Sequence, residues 1–122
     1  MIIADTSVWI DHLHQGNAAM FGLLAEGQVL MHPFVLGEVA LGSMPDWDRV
    51  VFRLAKLPTA RRASDQAVVT MIGRHHLQGS GIGYVDAHLI GACLISTDVF
   101  LWTRDQRLAK VAARLGVDAT SP

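Results

Sequence analysis

The chain is poor in the residues that most readily announce a mechanism. Its 122 residues include one cysteine, Cys93, which excludes an internal disulfide and a cysteine zinc cluster. Cys93 lies in the apolar run His88–Ile95, where a small core residue is the expected role, and a reduced, cytoplasmic setting fits. Proline occurs four times and forms no rigid linker. Charged residues make up only 17% and neither sign dominates: ten bases face eleven acids, for a net charge of −1. The basic signature usual in nucleic-acid-binding domains is therefore missing from the total. No long hydrophobic run exists either. The longest stretch without Asp, Glu, Lys or Arg, residues 12–25, contains Gln15, Gly16 and Asn17 and falls short of the ~18 apolar residues that a membrane span needs. Met1-Ile2-Ile3-Ala4-Asp5 has no basic segment ahead of its apolar residues and does not read as a signal peptide.

What is present is apolar. Hydrophobic residues make up 51% of the chain, enough for a packed core, and this excludes a mostly disordered protein. The length fits one domain spanning residues 1–122. Met1–Asp5, Gln28–His32 and Val99–Thr103 read as short strands. Helices are predicted from Thr6 or Ser7 to His14 and over Asn17–Ala25, Pro33–Ser43, Asp46–Leu57, Ser64–Gln78, Tyr84–Ser96 and Arg104–Leu115. Gly79-Ser80-Gly81-Ile82-Gly83 reads as a loop. It is no dinucleotide fingerprint, because no strand precedes it and its spacing is wrong. Gly116-Val117-Asp118 should lead to a frayed end. Strands alternating with helices indicate an α/β fold with a mostly parallel sheet.

The informative residues are acids in apolar settings. Asp5 closes the first strand, and Asp105 follows the last. Glu38 and Asp86 sit near the starts of apolar helices. Ligands of parallel α/β sheets bind beyond the carboxyl ends of the strands. Carboxylates near apolar walls cost free energy unless their charge is offset, and clustered ones repel. A hard divalent cation answers both difficulties, with Mg²⁺ the natural choice and Mn²⁺ a substitute. Each acid also has a purely structural reading: Asp5 would cap the following helix, and Asp86 would complement a helix N-terminus. Spacing alone does not bring the four together.

Four segments carry a resemblance: Ile3-Ala4-Asp5-Thr6-Ser7-Val8-Trp9-Ile10-Asp11, Gly37-Glu38-Val39-Ala40, Gly83-Tyr84-Val85-Asp86-Ala87-His88-Leu89-Ile90 and Leu101-Trp102-Thr103-Arg104-Asp105-Gln106-Arg107-Leu108. In order and spacing they resemble the PIN-domain family, and within it the VapC toxins of bacterial VapBC toxin–antitoxin pairs. The resemblance implies a three-layer α/β/α sandwich and a Mg²⁺-dependent endoribonuclease that leaves 5′-phosphate and 3′-hydroxyl ends. It also implies a homodimer and a small VapB-type antitoxin partner. It maps the family's four acids onto Asp5, Glu38, Asp86 and Asp105, with hydroxyl support from Thr6, Ser7 and Thr103.

The remaining polar residues are more ambiguous. The six histidines include no H-E-x-x-H pair, and His88 is expected to be a packed or edge residue. Asp98 suits a turn, and Asp11 reads as a helix-edge residue, with support of a basic residue near the site as the alternative. Arg49, Arg53 and Lys56 share a helix face, and Arg104, Arg107, Lys110 and Arg114 form a second stripe. Each stripe is either an ordinary solvated face or a phosphate track for RNA. Trp9, Trp47 and Trp102 read as core or interface anchors. Setting the four acids aside leaves seven acids against ten bases, so the near-neutral total is compatible with an acidic pocket in a modestly basic surface. The competing enzyme class is a phosphoacceptor or phosphatase domain. Its second acid would have to stand near Asp5, where the chain has Thr6-Ser7. The non-enzymatic alternative is a catalytically silent PIN module that only binds its antitoxin.

Overall fold

A computed structural model describes residues 1–119. The elements run β1 (Ile2–Ala4), α1 (Thr6–Gln15), α2 (Ala18–Ala25), β2 (Val29–Leu30), α3 (Pro33–Ala40), α4 (Trp47–Ala55), α5 (Asp65–Arg74), α6 (Tyr84–Leu94), β3 (Phe100–Trp102) and α7 (Gln106–Arg114). The expected order of strands and helices is therefore present. The helix ends differ from the sequence pattern for local reasons, α1 reaching Gln15 and the others falling short of their expected bounds. Asp5 rather than Thr6 or Ser7 caps α1, because its carboxylate accepts the Val8 amide. The helix expected over Ser64–Gln78 stops at Arg74, since His76 turns into the left-handed region at φ 54°. The helix expected to start at Arg104 begins at Gln106 because Asp105 caps it.

The strands form a parallel sheet ordered β2-β1-β3, with Ile3 paired to Leu30 on one side and Leu101 on the other. Single parallel bridges widen it at both edges, Met31 to Thr59 and Leu101 to Asp118. The Ala119 amide also donates to the Leu101 carbonyl at 2.9 Å. Gly116–Asp118, read as leading to a frayed end, thus runs against β3, and any fraying falls outside the described residues. The Asp98 turn is as expected: φ is 55°, and its carbonyl accepts from the Met1 ammonium at 2.9 Å.

Burial explains the arrangement. Every central strand residue that points into the core is apolar, as with Ile3, Val29 and Leu101, and each such side chain contributes about 1.5–3 kcal/mol when buried. Helices α1, α3 and α4 pack together as one group, and α5 packs on α6, so helices and sheet form an α/β sandwich. The α5–α6 approach is close. A Cβ on Gly91 would stand 3.3 Å from Val68 Cγ2 and 3.4 Å from Ala63 Cβ. Helix α6 is buried along most of its length, Cys93 included, and burial pushes the Cys93 thiol up to about 12. Among the described residues no helix is long and apolar enough to cross a membrane.

Two buried imidazoles sit at the rim of this core. His32 ends the β2 segment and caps α3, its Nδ1 accepting the Phe34 amide at 3.0 Å. That bond fixes the proton on Nε2, which has no partner, and burial, helped by His88 and Arg62, lowers its pKa to about 4. His88 is fully buried on α6, as a packed residue. Its Nε2 lies 3.2 Å from Asp65 Oδ1, but out of line for a hydrogen bond, and burial outweighs Asp65 in lowering its pKa.

Candidate active site

The sheet places two of the four acids directly. Asp5 follows β1, and its amide donates to the Trp102 carbonyl of β3 at 3.0 Å, so the two strand exits are clamped together. Asp5 is 5% exposed, and its charge is met by short polar contacts. Ser7 Oγ donates to Oδ1 at 2.5 Å, the Val8 amide reaches the same oxygen at 3.2 Å, and Thr103 Oγ1 donates to Oδ2. Thr103 Oγ1 in turn accepts the Asp105 amide at 3.0 Å. The Thr103 hydroxyl therefore points its proton at Asp5 and its lone pair at Asp105, which couples the two acids. Asp105 Oδ1 is held by the Arg107 and Leu108 amides at 2.9 and 3.2 Å.

Helices bring the other two. Thr6 Oγ1, next to Asp5, donates to Glu38 Oε1 at 2.6 Å, tying the exposed Glu38 of α3 to the start of α1. Asp86 is half-buried in the first turn of α6, where the Gly83 amide approaches Oδ2 at 3.4 Å. Its pKa is raised, first by burial and then by the charges of Asp5, Asp105 and Glu38. That three-way repulsion is the measure of convergence: carboxylates from four elements share one electrostatic neighbourhood. Thr6, Ser7 and Thr103 all stand within it, each bonded to one of the acids.

The donor set is made of carboxylate and hydroxyl oxygens, which suits a hard divalent cation rather than zinc or copper. Raised Asp86, with three like charges around it, is the feature a cation would relieve. The cluster is open. Among the described residues no three Asp, Glu, His or Cys side chains stand close enough to cage an ion. The network explains this: Asp5 and Glu38 are turned towards hydroxyls rather than towards one common point.

The basic residues separate into different situations. Arg49, Arg53 and Lys56 are exposed on α4, with the Lys56 ammonium 4.3 Å from the Phe52 ring, and none has a carboxylate partner among the described residues. On the second stripe, Arg104 pairs with Asp11 at 2.7 Å, the alternative to a plain helix-edge role for that acid. Arg107 and Lys110 are exposed, and Arg114 donates to the His75 carbonyl at 3.0 Å. Trp9 is a core residue, Trp47 is 42% exposed with its Nε1 on the Ala40 carbonyl, and Trp102 is half-buried. His12 Nδ1 accepts the Asn17 amide, a structural use. Two contributors escaped the sequence reading: His32 as the cap of α3, and Gly81, whose place beside Arg107 only the fold reveals. For Gly81 the one available signal was the alternate-glycine spacing of Gly79, Gly81 and Gly83.

The site thus combines a parallel sheet, two acids beyond its strand exits and two more from the neighbouring helices. The PIN domain family profile matches residues 2–114, and the chain belongs to the PIN-domain family. Within it the chain belongs with the VapC proteins. It is 41% identical over 117 residues to proteins named Ribonuclease VapC32 from two strains of Mycobacterium tuberculosis, CDC 1551 / Oshkosh and ATCC 25618 / H37Rv. Each alignment covers 96% of this chain and 94% of the relative.

Proposed function

We propose that residues 1–122 form one PIN domain that acts as the toxin of a toxin–antitoxin pair, a Mg²⁺-dependent endoribonuclease. The single observation that carries this reading is the hydroxyl network at the strand exits, in which Thr103 bonds Asp5 and accepts the Asp105 amide while Thr6, beside Asp5, bonds Glu38. The similarity to proteins named ribonucleases supports the choice of RNA.

In this proposal Asp5 and Asp86 are the direct ligands of Mg²⁺, with Mn²⁺ as a substitute. Glu38 and Asp105 complete the shell, directly or through water. When bound, such an ion lowers the pKa of water and offsets charge on a phosphate. The chain's own residues supply the preparation. Ser7 and Thr103 hold both oxygens of Asp5 in fixed directions, and Thr6 does the same for Glu38. Arg49, Arg53 and Lys56, with Arg104, Arg107 and Lys110, form the proposed phosphate tracks. The partners in this reading are RNA, a VapB-type antitoxin and a second copy of the chain, in the cytoplasm.

The phosphoacceptor alternative is disfavoured by the geometry. Such a domain needs a second acid near its nucleophile, whereas Asp5 is followed by Thr6 and Ser7, whose hydroxyls are bonded to Glu38 and Asp5. The silent-module alternative is disfavoured because all four acids are retained. The test is expression of the chain alone and together with a candidate VapB-type antitoxin, with mapping of cellular RNA ends. Discrete new ends and growth arrest, both relieved by a co-purifying partner, are expected. Arrest without new ends refutes the nuclease reading.

A further inference from the structure

We propose that Arg107 positions an RNA phosphate at the entrance to the four acids, and that Gly81 is the seat across which its side chain lies. This inference rests on the nuclease reading above. It singles out one residue of the second proposed track and gives it a defined place beside the acids.

The α7 cations are not equivalent. Arg104 is committed to Asp11 at 2.7 Å, and Arg114 to a carbonyl at the far end of the helix. Arg107 has no carboxylate within ion-pair distance among the described residues. It nonetheless meets the site's segments on two sides. Its amide donates to Asp105 Oδ1 at 2.9 Å, so its backbone belongs to the cap of α7. Its side chain reaches the loop before α6. A Cβ built on Gly81 would stand 2.9 Å from Arg107 Cδ and 3.0 Å from Nη1, so a side chain at position 81 would displace the arginine from this seat. Gly81 itself is at φ +88°, where other residues are strained. Two residues on, Gly83 offers its amide to Asp86. Arg107 thus spans from the segment that holds Asp105 to the segment that holds Asp86.

The chemistry of that position is specific. A phosphodiester approaching four carboxylates is repelled, and a fixed cation at their edge offsets that field. A guanidinium presents a planar fork that meets two phosphate oxygens at once, which an ammonium cannot do. A side chain already laid flat on a glycine loses less freedom on binding than one free in solvent.

The test uses the full chain, a fluorescein-labelled single-stranded oligoribonucleotide and EDTA, with anisotropy read across a salt series. Arg107→Ala is expected to weaken binding about tenfold or more and to lower the salt slope by about one. Arg107→Lys should restore the slope but only part of the affinity. Gly81→Ala should weaken binding in the same direction, and adding it to Arg107→Ala should cause no further loss. An unchanged affinity and slope in Arg107→Ala overturns the proposal. That variant decides even if Gly81→Ala unfolds, because Arg107 is exposed. Multiplying losses in the double variant overturn the seating role of Gly81. Wild-type chain that fails to bind RNA overturns both readings. Binding that needs Arg107, without cleavage when Mg²⁺ is added, overturns the nuclease reading alone.

Discussion

Asp5 does two jobs that substitution can separate. As the cap of α1 it accepts the Val8 amide, a role worth about 1 kcal/mol. It is also the acceptor for the part-buried hydroxyls of Ser7 and Thr103. Leaving such a donor unpaired costs about 1–3 kcal/mol, although relief of repulsion with Asp86 returns part of that. Asp5→Ala should therefore destabilise the protein by about 2–3 kcal/mol, lowering Tm by roughly 6–12 °C for a chain of this size. Asp5→Asn keeps a carbonyl oxygen for the Val8 amide and one hydroxyl, and should lose only about 1 kcal/mol. Both should abolish metal-dependent cleavage, because neither leaves a carboxylate. Urea denaturation beside an RNA-cleavage assay reads both roles. Equal stability of Asp5→Ala and wild type would refute the hydrogen-bond argument. Full activity in folded Asp5→Asn would refute the ligand assignment.

Two further predictions concern pH. His32 has its pKa lowered from 6.5 to about 4, so the unfolded chain binds the proton first; stability is complete above about 6.5 and falls as pH drops towards 4. That should cost about 2 kcal/mol between about pH 7 and pH 5 in denaturant titrations, and His32→Asn, which keeps a cap acceptor, should flatten the dependence; an equally steep variant refutes the assignment. Asp86 has the opposite sign: its raised pKa means that the cation-free fold loses stability as pH rises through the carboxylate range. Asp86→Asn should therefore stabilise the cation-free protein near neutral pH while removing the thermal stabilisation given by Mg²⁺, and a variant that melts like wild type in both conditions contradicts the shared-field account.

How much of this was legible in the chain follows from the range of each interaction. The strands and helices were readable because they rest on apolar periodicity and on local signals such as Pro33 at the start of α3. Helix ends were less so, because they depend on which of several adjacent polar residues wins the cap, as with Asp5 against Thr6 and Ser7. The four acids stood out through their apolar settings, but their convergence needed the β1–β3 pairing, which no local pattern encodes. The pairing of Arg104 with Asp11 and the contact of Arg107 with Gly81 join distant parts of the chain. A charge stripe that looks uniform in one dimension is divided by those contacts into residues with different partners.

The most direct test of the central claim is cleavage of single-stranded RNA by the purified chain, with added Mg²⁺, with excess EDTA, and with the folded Asp86→Asn variant. The account predicts discrete cuts with Mg²⁺ and none in the other two cases. Undiminished cleavage in EDTA, or by Asp86→Asn, would contradict it.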